Sequence, residues 1–419
     1  MLDESFLDAP DALARADVRG LLRGAAESGA RVRTAARHAA EAGITALAPD
    51  GRPRAVLVAG PGPAASCAAD LLAALSDGSC LVQLVRPTGV APEAGALRWT
   101  LPGWTGPLDL LLLVSADGSE PGLAVLVEQA YRRGCSVVCV APTRSPLTGA
   151  VGQARGLAVP LADTIAAAFP SGPAQPSDPL NPSAPLAGAD DPSAAPAPEP
   201  PGMSTPFGPV PLPPSPAAPG TLWALLTPLL SLADRIGLLD APPAALEALA
   251  ERLDKVAERC GPAIATYNNP AKTLATELAD ALPLLWTEGT VAGAAGRHFA
   301  TVLTTLAGRP ALAAELPEAL TTHGMLLAGA FAAGTDPDDF FRDRVEDTQG
   351  MHARIVLLRG QPLNATSPTP TARELALRRD TPVSELQPAE GSLLETAAEL
   401  LAITDFAAVY LSLASSERS

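Results

Sequence analysis

The stretch from residue 54 to residue 65 reads RAVLVAGPGPAA, an apolar run followed by a turn rich in glycine and proline. The apolar run predicts a buried strand over 54–59, and the segment after the turn predicts a helix over 64–76. Three further apolar runs predict strands, at 81–85, 108–114 and 136–140. A helix is predicted between the last two, over 121–133. Strands that are apolar throughout and alternate with helices predict a parallel sheet with helices on both faces.

The second half of the chain repeats this order of strand, turn and helix. Its predicted strands are 283–286, 312–316 and 355–358, and its predicted helices are 221–237, 243–260, 270–281, 291–307 and 389–413. Between the halves, residues 171–219 are dense in Pro, Ser, Ala and Gly and hold few large apolar residues, which predicts a disordered or partly polyproline linker. Such a linker is an inert tether or, alternatively, a Pro-rich segment that binds a partner. The predicted fold class is therefore α/β. A first subdomain spans 1–170 and opens with a helix over 10–43 that is broken near Gly29, and a second subdomain spans 220–419.

The composition limits the classes of partner. With 419 residues, of which 47% are hydrophobic, the chain can form two or three domains with substantial cores. The net charge of −16 argues against a nucleic-acid partner, since a phosphate backbone is bound by basic surfaces. No run of eighteen apolar residues occurs and no signal-type apolar core follows the N-terminus, so we expect no membrane segment and a cytoplasmic protein. The five cysteines lack metal-ligand spacing; we expect reduced core thiols and no metal site.

The turn Gly60-Pro61-Gly62 lies where a strand meets a helix and is the first candidate site. Glycines there allow backbone amides to approach an anion at the positive end of the helix, as a phosphosugar would require. The same residues fit a dinucleotide pattern, although Arg86 stands where an acidic residue would bind the ribose, which would suit only a 2′-phosphate. A tight turn with a purely structural role is the third interpretation.

The second candidate site is the segment 115–120, SADGSE, which again follows a strand and precedes a helix. Ser115, Gly118 and Ser119 offer hydroxyl groups and free amides to a phosphate. The alternative is that Asp117 or Ser119 caps the helix. The two carboxylates in the segment count against a bound phosphate.

The order of these loops, a G-x-G loop and then a Ser-x-x-Gly-Ser loop, resembles the SIS (sugar isomerase) fold. Three segments of the second half resemble the bifunctional phosphoglucose/phosphomannose isomerases: NPAK at 269–272, LPEA at 316–319 and ITDFAAVYL at 403–411. The resemblance implies two flavodoxin-like, three-layer αβα subdomains with parallel sheets in one subunit, and usually a homodimer. It covers most of the chain except the Pro-rich linker.

The resemblance also implies a reaction, the isomerisation of glucose 6-phosphate or mannose 6-phosphate to fructose 6-phosphate through a cis-enediol, without a metal or other cofactor. Glu318 falls on the family's base position in LPEA, and a partly desolvated glutamate suits that role. The alternative for Glu318 is a solvated glutamate at the start of a helix. The resemblance places the phosphosugar on six residues of the first subdomain: Gly60, Gly62, Ser66, Ser115, Gly118 and Ser119.

Several family positions carry other residues here. Ala64 and Asp117 stand where serines are usual, and no histidine follows the last predicted strand. His323 and His352 could replace the missing acid–base groups, and Arg297 could supply charge to a phosphate; the plainer interpretation is that each is an ordinary surface or core residue. These departures keep a second function open, a catalytically degenerate protein on the same fold that binds a phosphosugar and acts in regulation.

Overall fold

The computed structural model describes residues 4–49, 51–76, 78–89, 97–161, 219–329, 352–360 and 365–416. Within these ranges the chain forms two parallel sheets, one in each half, as the sequence predicts. Nearly all of the predicted linker at 171–219 lies outside the described residues and stays a prediction, as do the subdomain boundaries on either side of it.

The first half contains a five-stranded sheet. Its strands are β1 (Ala55–Ala59), β2 (Leu81–Leu84), β3 (Asp109–Val114), β4 (Ser136–Pro142) and β5 (Leu157–Leu161). Its helices are α1 (Glu4–Leu7), α2 (Pro10–Ala16), α3 (Leu21–Ala26), α4 (Ser28–Glu41), α5 (Pro63–Leu75), α6 (Pro121–Arg132) and α7 (Pro146–Gln153), with a 3-10 turn at Ile44–Ala46. The strand order is β2-β1-β3-β4-β5, and every pair is parallel. Strands β1 and β3 are buried along their whole length because apolar clusters cover both faces of the sheet.

The second half contains a four-stranded sheet. Its strands are β6 (Ala281–Glu288), β7 (Leu312–Glu315), β8 (His352–Arg359) and β9 (Val383–Leu386). Its helices are α8 (Thr221–Arg235), α9 (Pro243–Cys260), α10 (Pro270–Leu278), α11 (Thr290–Ala307), α12 (Glu318–Ala328), α13 (Thr369–Arg378) and α14 (Leu393–Ser416), with a 3-10 turn at Thr266–Asn268. The order β7-β6-β8-β9, all parallel, repeats that of the first four strands. This repetition confirms the prediction of two similar α/β units.

The last helix, α14, joins the two cores. It packs against α9, α10 and α11 of its own half and against α3 and α5 of the first half. Among the helices in the described ranges, α14 is the one that is long and apolar enough to cross a membrane. Its apolar stretch is, however, entirely buried in the protein. A helix that is enclosed by other helices in this way is a core helix. The sequence analysis did not single it out because Glu395 and Glu399 interrupt its apolar run.

The N-terminal helical region is more broken than predicted. Instead of one helix over 10–43 with a break near Gly29, it forms α2, α3 and α4, which are separated at 17–20 and at Glu27. The Asp17 carboxylate explains the first break, because it accepts the free amides of Leu21 (2.7 Å) and Leu22 (2.9 Å) at the start of α3.

All five cysteines are free thiols, as expected. Four of them are buried, whereas Cys80 is only partly buried and so is not the core residue that was predicted. Burial raises the pKa of Cys139 to about 12 and that of Cys260 to about 11, so both thiols are protonated at physiological pH.

Candidate functional site

The Gly60–Gly62 turn lies at the carboxyl end of β1 and leads into α5. A Cβ on Gly60 would lie 2.1 Å from the carbonyl oxygen of Val114 in β3, so no larger residue fits there. Gly62 has a φ of 74° and precedes Pro63, the first residue of α5. No side chain caps this helix, so its first amide groups are free to meet a ligand or solvent. The glycines thus meet structural needs of the turn, and the anion-binding interpretation rests on the uncapped helix start.

The loop from Ser115 to Ser119, at the carboxyl end of β3, is organised around Asp117. The Asp117 carboxylate accepts hydrogen bonds from the Ser115 hydroxyl (3.0 Å), the Ser119 amide (3.1 Å) and the Ser119 hydroxyl (2.8 Å). The Gly118 amide donates to the Ser115 hydroxyl oxygen at 2.9 Å. The donors that a phosphate would need are therefore already bonded within the loop, most of them to a carboxylate.

Asp117 carries its negative charge at physiological pH. Partial burial raises the pKa of its carboxyl, but hydrogen bonds from Ser119 and Ser115 lower it by more, so the net pKa lies below the ordinary value. The predicted cap is absent, since the helix that follows, α6, begins after Glu120 with no side-chain cap. Asp117 therefore stabilises the loop itself and presents a like charge to any phosphate.

Two further predicted phosphate ligands lie on helices. Ser66 is half-buried, one turn into α5. Arg297, in the middle of α11, forms ion pairs with Asp70 of α5 (2.8 Å) and Glu315 of β7 (2.6 Å). Two carboxylates thus already balance the charge of Arg297. In the described ranges, these ion pairs are with α5 and β7 and not with either candidate loop.

Glu318 is the first residue of α12 and follows the carboxyl end of β7. It is exposed, and it sits beside the free backbone amides of the helix start. Glu288 ends the neighbouring strand β6, and Arg359 ends β8, the next strand across the sheet. Three charged residues therefore share the carboxyl edge of this sheet, which is the edge where open α/β sheets bind ligands.

Arg359 lines a cleft of about 310 Å³ at the carboxyl ends of β8 and β9. Its side chain is only 1% exposed, and its guanidinium donates hydrogen bonds to Gln387 (2.8 Å) and Glu385 (3.2 Å). It also lies 3.9 Å from the Glu288 carboxylate. A buried guanidinium is costly to desolvate, so these acceptors hold it in place. The volume of the cleft reaches the lower end of the range for small-molecule sites.

Strand β6 separates Glu318 from the Arg359 cleft. The sheet order β7-β6-β8 places the ends of β7 and β8 two strand spacings, or about 10 Å, apart. A ligand that contacts both must lie across the end of β6, next to Glu288 and the start of α11.

The two predicted catalytic histidines are not brought together with Glu318. His323 lies in α12 but is buried, and its Nδ1 accepts a hydrogen bond from Trp286 Nε1 at 2.9 Å. Burial lowers the pKa of His323, so the ring is neutral at physiological pH with its proton on Nε2. His352 is exposed at the amino end of β8, about 23 Å along the strand from Arg359. Their assignment as acid–base groups stays a prediction that these positions do not favour.

Residues 267–416 match a known family, described as the bacterial phospho-glucose isomerase C-terminal SIS domain. Residues 267–416 therefore form a domain of that family. The matched range contains all four strands of the second sheet, together with Glu318 and Arg359. The family resemblance is thus confirmed for residues 267–416, and the predicted α/β fold is confirmed for this half of the chain.

Solved structures resemble the whole chain in fold. A hypothetical protein from Thermus thermophilus aligns with a TM-score of 0.53 and 14% identity, over 99% of this chain and 94% of that chain. A provisionally named phosphosugar isomerase from Clostridium difficile 630 aligns with a TM-score of 0.53 and 10% identity, over 94% and 93%. Another provisionally named phosphosugar isomerase, from Silicibacter pomeroyi, aligns with a TM-score of 0.50 and 14% identity, over 95% of this chain and 98% of that chain. The TM-scores show a shared fold, and at identities of 10 to 14% the likeness shows the fold alone. No curated protein matches the sequence significantly.

The position of Arg359 at the carboxyl edge, lining a cleft, was not predicted from the sequence. The available signal was a charged residue placed directly after the apolar segment 355–358, at the point where a buried strand opens toward a ligand. Glu385 lies on β9, a strand that was not predicted, and Gln387 directly follows it, so their convergence on Arg359 could not be foreseen. Within the described ranges, no group of three or more His, Cys, Asp or Glu side chains is arranged to hold a metal ion.

Proposed function

We propose that this SIS protein is a phosphosugar aldose–ketose isomerase that converts glucose 6-phosphate or mannose 6-phosphate to fructose 6-phosphate. The observation that supports the proposal is the position of Glu318, an exposed carboxylate at the start of α12 within the matched family domain. A carboxylate at the carboxyl edge of a parallel sheet can reach a ligand bound at that edge.

The proposed reaction moves protons between two neighbouring carbons. The Glu318 carboxylate removes the proton from C2 of the open-chain aldose, which gives the enediolate of a cis-enediol. The proton of O2 then moves to O1, and the protonated Glu318 delivers its proton to C1 to give the ketose. Free amides at the start of α11, beside Glu288, would stabilise negative charge that develops on the substrate oxygens. The phosphate is assigned to the uncapped start of α5, with Gly60, Gly62 and Ser66.

A second candidate function is a phosphosugar-binding regulator without isomerase activity. Two observations favour it: Asp117 occupies the donors of the Ser115–Ser119 loop, and His323 is committed to Trp286. Such a protein would be stabilised by a phosphosugar through mass action and would not exchange the C2 proton of the sugar.

Proton exchange at C2 separates the two functions. Purified protein is incubated with glucose 6-phosphate, and separately with mannose 6-phosphate, in deuterated water, and the loss of the C2–H signal is followed by NMR. An isomerase should exchange this proton, and Glu318→Gln should abolish the exchange while phosphosugar binding persists. Glu374→Gln, which removes an exposed carboxylate of α13 paired with Arg378, is the matched control and should exchange normally.

Binding is measured in parallel by the thermal shift that each phosphosugar produces. Exchange that survives in Glu318→Gln would remove Glu318 as the base. A thermal shift without exchange for either sugar would favour the regulator. The homodimer, which the family resemblance implies, is tested by light scattering of the same sample.

A further inference from the structure

A cleft opens at the amino edge of the first sheet, opposite to the carboxyl edge that holds the candidate loops. This amino-edge cleft measures about 620 Å³, twice the volume of the Arg359 cleft and well within the range of small-molecule sites. Its floor is formed by the first residues of β3, β4 and β5, and the end of α8 closes one side. Among the described residues that line it, none is assigned to the proposed isomerase site.

The middle of the amino-edge cleft presents exposed apolar surface. Leu108, directly before β3, is 69% exposed, and Tyr131, in the last turn of α6, is 59% exposed. Leu232 and Ile236, at the end of α8, line the same cleft. Exposed apolar side chains around a concave surface favour a ligand with a flat or apolar body, because both lose contact with water on binding. An exposed tyrosine ring also offers a face on which an aromatic base can stack.

Two arginines lie at the two ends of the cleft. Arg52 precedes β1 and lies against Gly237 at the end of α8, whereas Arg155 precedes β5. The sheet order β1-β3-β4-β5 separates these ends by three strand spacings, or about 14 Å. Both arginines are exposed, and within the described ranges neither forms an ion pair or a side-chain hydrogen bond. Asp109, the acidic residue in the described lining, is paired with Arg54, so this lining is positive in a chain of net charge −16.

The backbone of Arg155 has a conformation that arginine rarely adopts. Its φ is 57°, in the left-handed region where a residue with a Cβ is strained and where glycine usually ends a helix. A glycine at this position would have a lower conformational cost, so the arginine calls for another reason. A contact between its guanidinium and a ligand in the cleft supplies that reason.

The cleft also receives the carbonyl ends of three helices. Residues at the ends of α6, α7 and α8 all line it. The last carbonyl groups of a helix have no partner inside the helix and carry partial negative charge. They accept hydrogen bonds from amino and hydroxyl groups, and they disfavour a ligand that is only an anion. The surroundings therefore select a ligand that combines hydrogen-bond donors and an aromatic body with an anionic group.

We propose that the amino-edge cleft binds a nucleoside diphosphate. The base lies on Leu108 and Tyr131, and its amino group and the ribose hydroxyls donate to the carbonyl groups at the helix ends. The diphosphate pairs with the guanidinium of Arg155, and Arg52 lies at the other end, next to the base. Because this site is at the edge opposite to Gly60–Gly62 and belongs to the other half than Glu318, a nucleotide and a phosphosugar bind without competing.

The ligand class is tested by calorimetric titration of the full chain with ADP at fixed ionic strength. Adenosine and inorganic pyrophosphate serve as the two halves of the ligand, and ADP should bind at least about tenfold more tightly than either. Equal binding of pyrophosphate and ADP would show that the base is not recognised and would overturn the proposal, as would a lack of ADP binding at millimolar concentration. Glucose 6-phosphate should not displace ADP; displacement would place the nucleotide at the carboxyl edge and overturn the site.

The site itself is tested by variants that leave the fold intact. Arg155→Gly suits the backbone φ of 57° and should weaken ADP binding about tenfold or more while adenosine binding is unchanged. Arg144→Gly is the matched control and should bind ADP normally, because it removes another exposed arginine with a positive φ, 65°, at the carboxyl edge of the same sheet. Tyr131→Ala should weaken ADP and adenosine about fivefold or more and leave pyrophosphate unchanged. Equal losses in Arg155→Gly and Arg144→Gly would show a general effect of charge and refute the site.

Discussion

Replacing Asp117 with serine should convert the Ser115–Ser119 loop into a phosphate site. In the native loop the carboxylate accepts the Ser119 amide and two serine hydroxyls, and so stands where a phosphate would accept the same donors. Asp117→Ser removes this competing anion and frees the donors. Asp117→Asn keeps the shape of the side chain and removes the charge alone, so the two variants separate repulsion from occupancy.

The size of the effect follows from Coulomb's law. Two unit charges about 4 Å apart interact by about 1 kcal/mol in water and about 4 kcal/mol at an effective dielectric constant of 20. Because Asp117 is exposed, the lower part of this range applies. We expect inorganic phosphate and glucose 6-phosphate to bind Asp117→Ser with a free energy about 1 to 2 kcal/mol more favourable, or about 5- to 30-fold more tightly.

The same substitution should lower the stability of the fold slightly. The hydrogen bonds that Asp117 accepts in this exposed loop contribute about 1 kcal/mol to the free energy of unfolding. Since the pKa of Asp117 is lowered in the folded state, its contribution to stability is present above the ordinary pKa of 3.8 and is lost as the pH falls through the folded value. Urea denaturation should therefore show a smaller difference in the free energy of unfolding between the native protein and Asp117→Ser near pH 3 than at pH 7.

Isothermal titration calorimetry at fixed ionic strength measures the binding. Glu128→Ser on α6 is the matched control, because it also removes one exposed carboxylate, which pairs with Arg132. The reasoning is refuted if Asp117→Ser binds phosphate no better than the native protein or than Glu128→Ser. A gain in both variants would show a general effect of net charge.

Three further predictions concern the fold. Arg54→Ala should lower the free energy of unfolding by about 2 kcal/mol, because the Asp109 side chain is 0% exposed and would lose the guanidinium that donates to its two oxygens at 2.6 and 3.0 Å. Urea denaturation measures this loss of stability, and a loss below about 0.5 kcal/mol would contradict the prediction. Lys272→Met should lower the free energy of unfolding by about 1 to 3 kcal/mol in the same assay, since the buried ammonium donates to two backbone carbonyls. An unchanged midpoint of urea denaturation would show that apolar packing of the side chain is enough for stability. Deletion of residues 175–215 should leave the melting temperature and phosphosugar binding nearly unchanged, and loss of either would show that this segment contributes to the fold or the site.

The interior strands were predictable because their sequences leave little choice. β1, β3, β4, β6 and β8 include nearly continuous apolar runs, and such runs can be satisfied only between two layers of helices. Two of the four edge strands, β5 and β9, lack this signal and were not predicted. β5 contains Pro160, which cannot donate to a neighbouring strand and is tolerated only at an edge, and β9 is a four-residue strand with two polar residues.

The candidate site was predictable where residues adjacent in sequence define it, and not where distant residues converge. The two loops were found because strand, turn and helix follow one another along the chain, and Glu318 was found through the family resemblance of LPEA at 316–319. The sequence showed that Asp117 brings negative charge to its loop; that it takes the loop's own donors depends on a backbone conformation the sequence does not display. His298 and Asp405 share no spacing pattern, so only the packing of α11 on α14 brings them together.

The position of α14 in the chain has a consequence for protein synthesis. This helix follows every strand of both sheets, yet it packs on α5 near the first strand as well as on α11. While a ribosome is still translating residues 393–416, the apolar surfaces that α14 will cover in both halves have no partner. Nascent chains with such uncovered surfaces are prone to aggregate and are typical clients of chaperones. The protein should therefore depend on chaperone protection until translation has passed α14, even though both parallel sheets are encoded before that point.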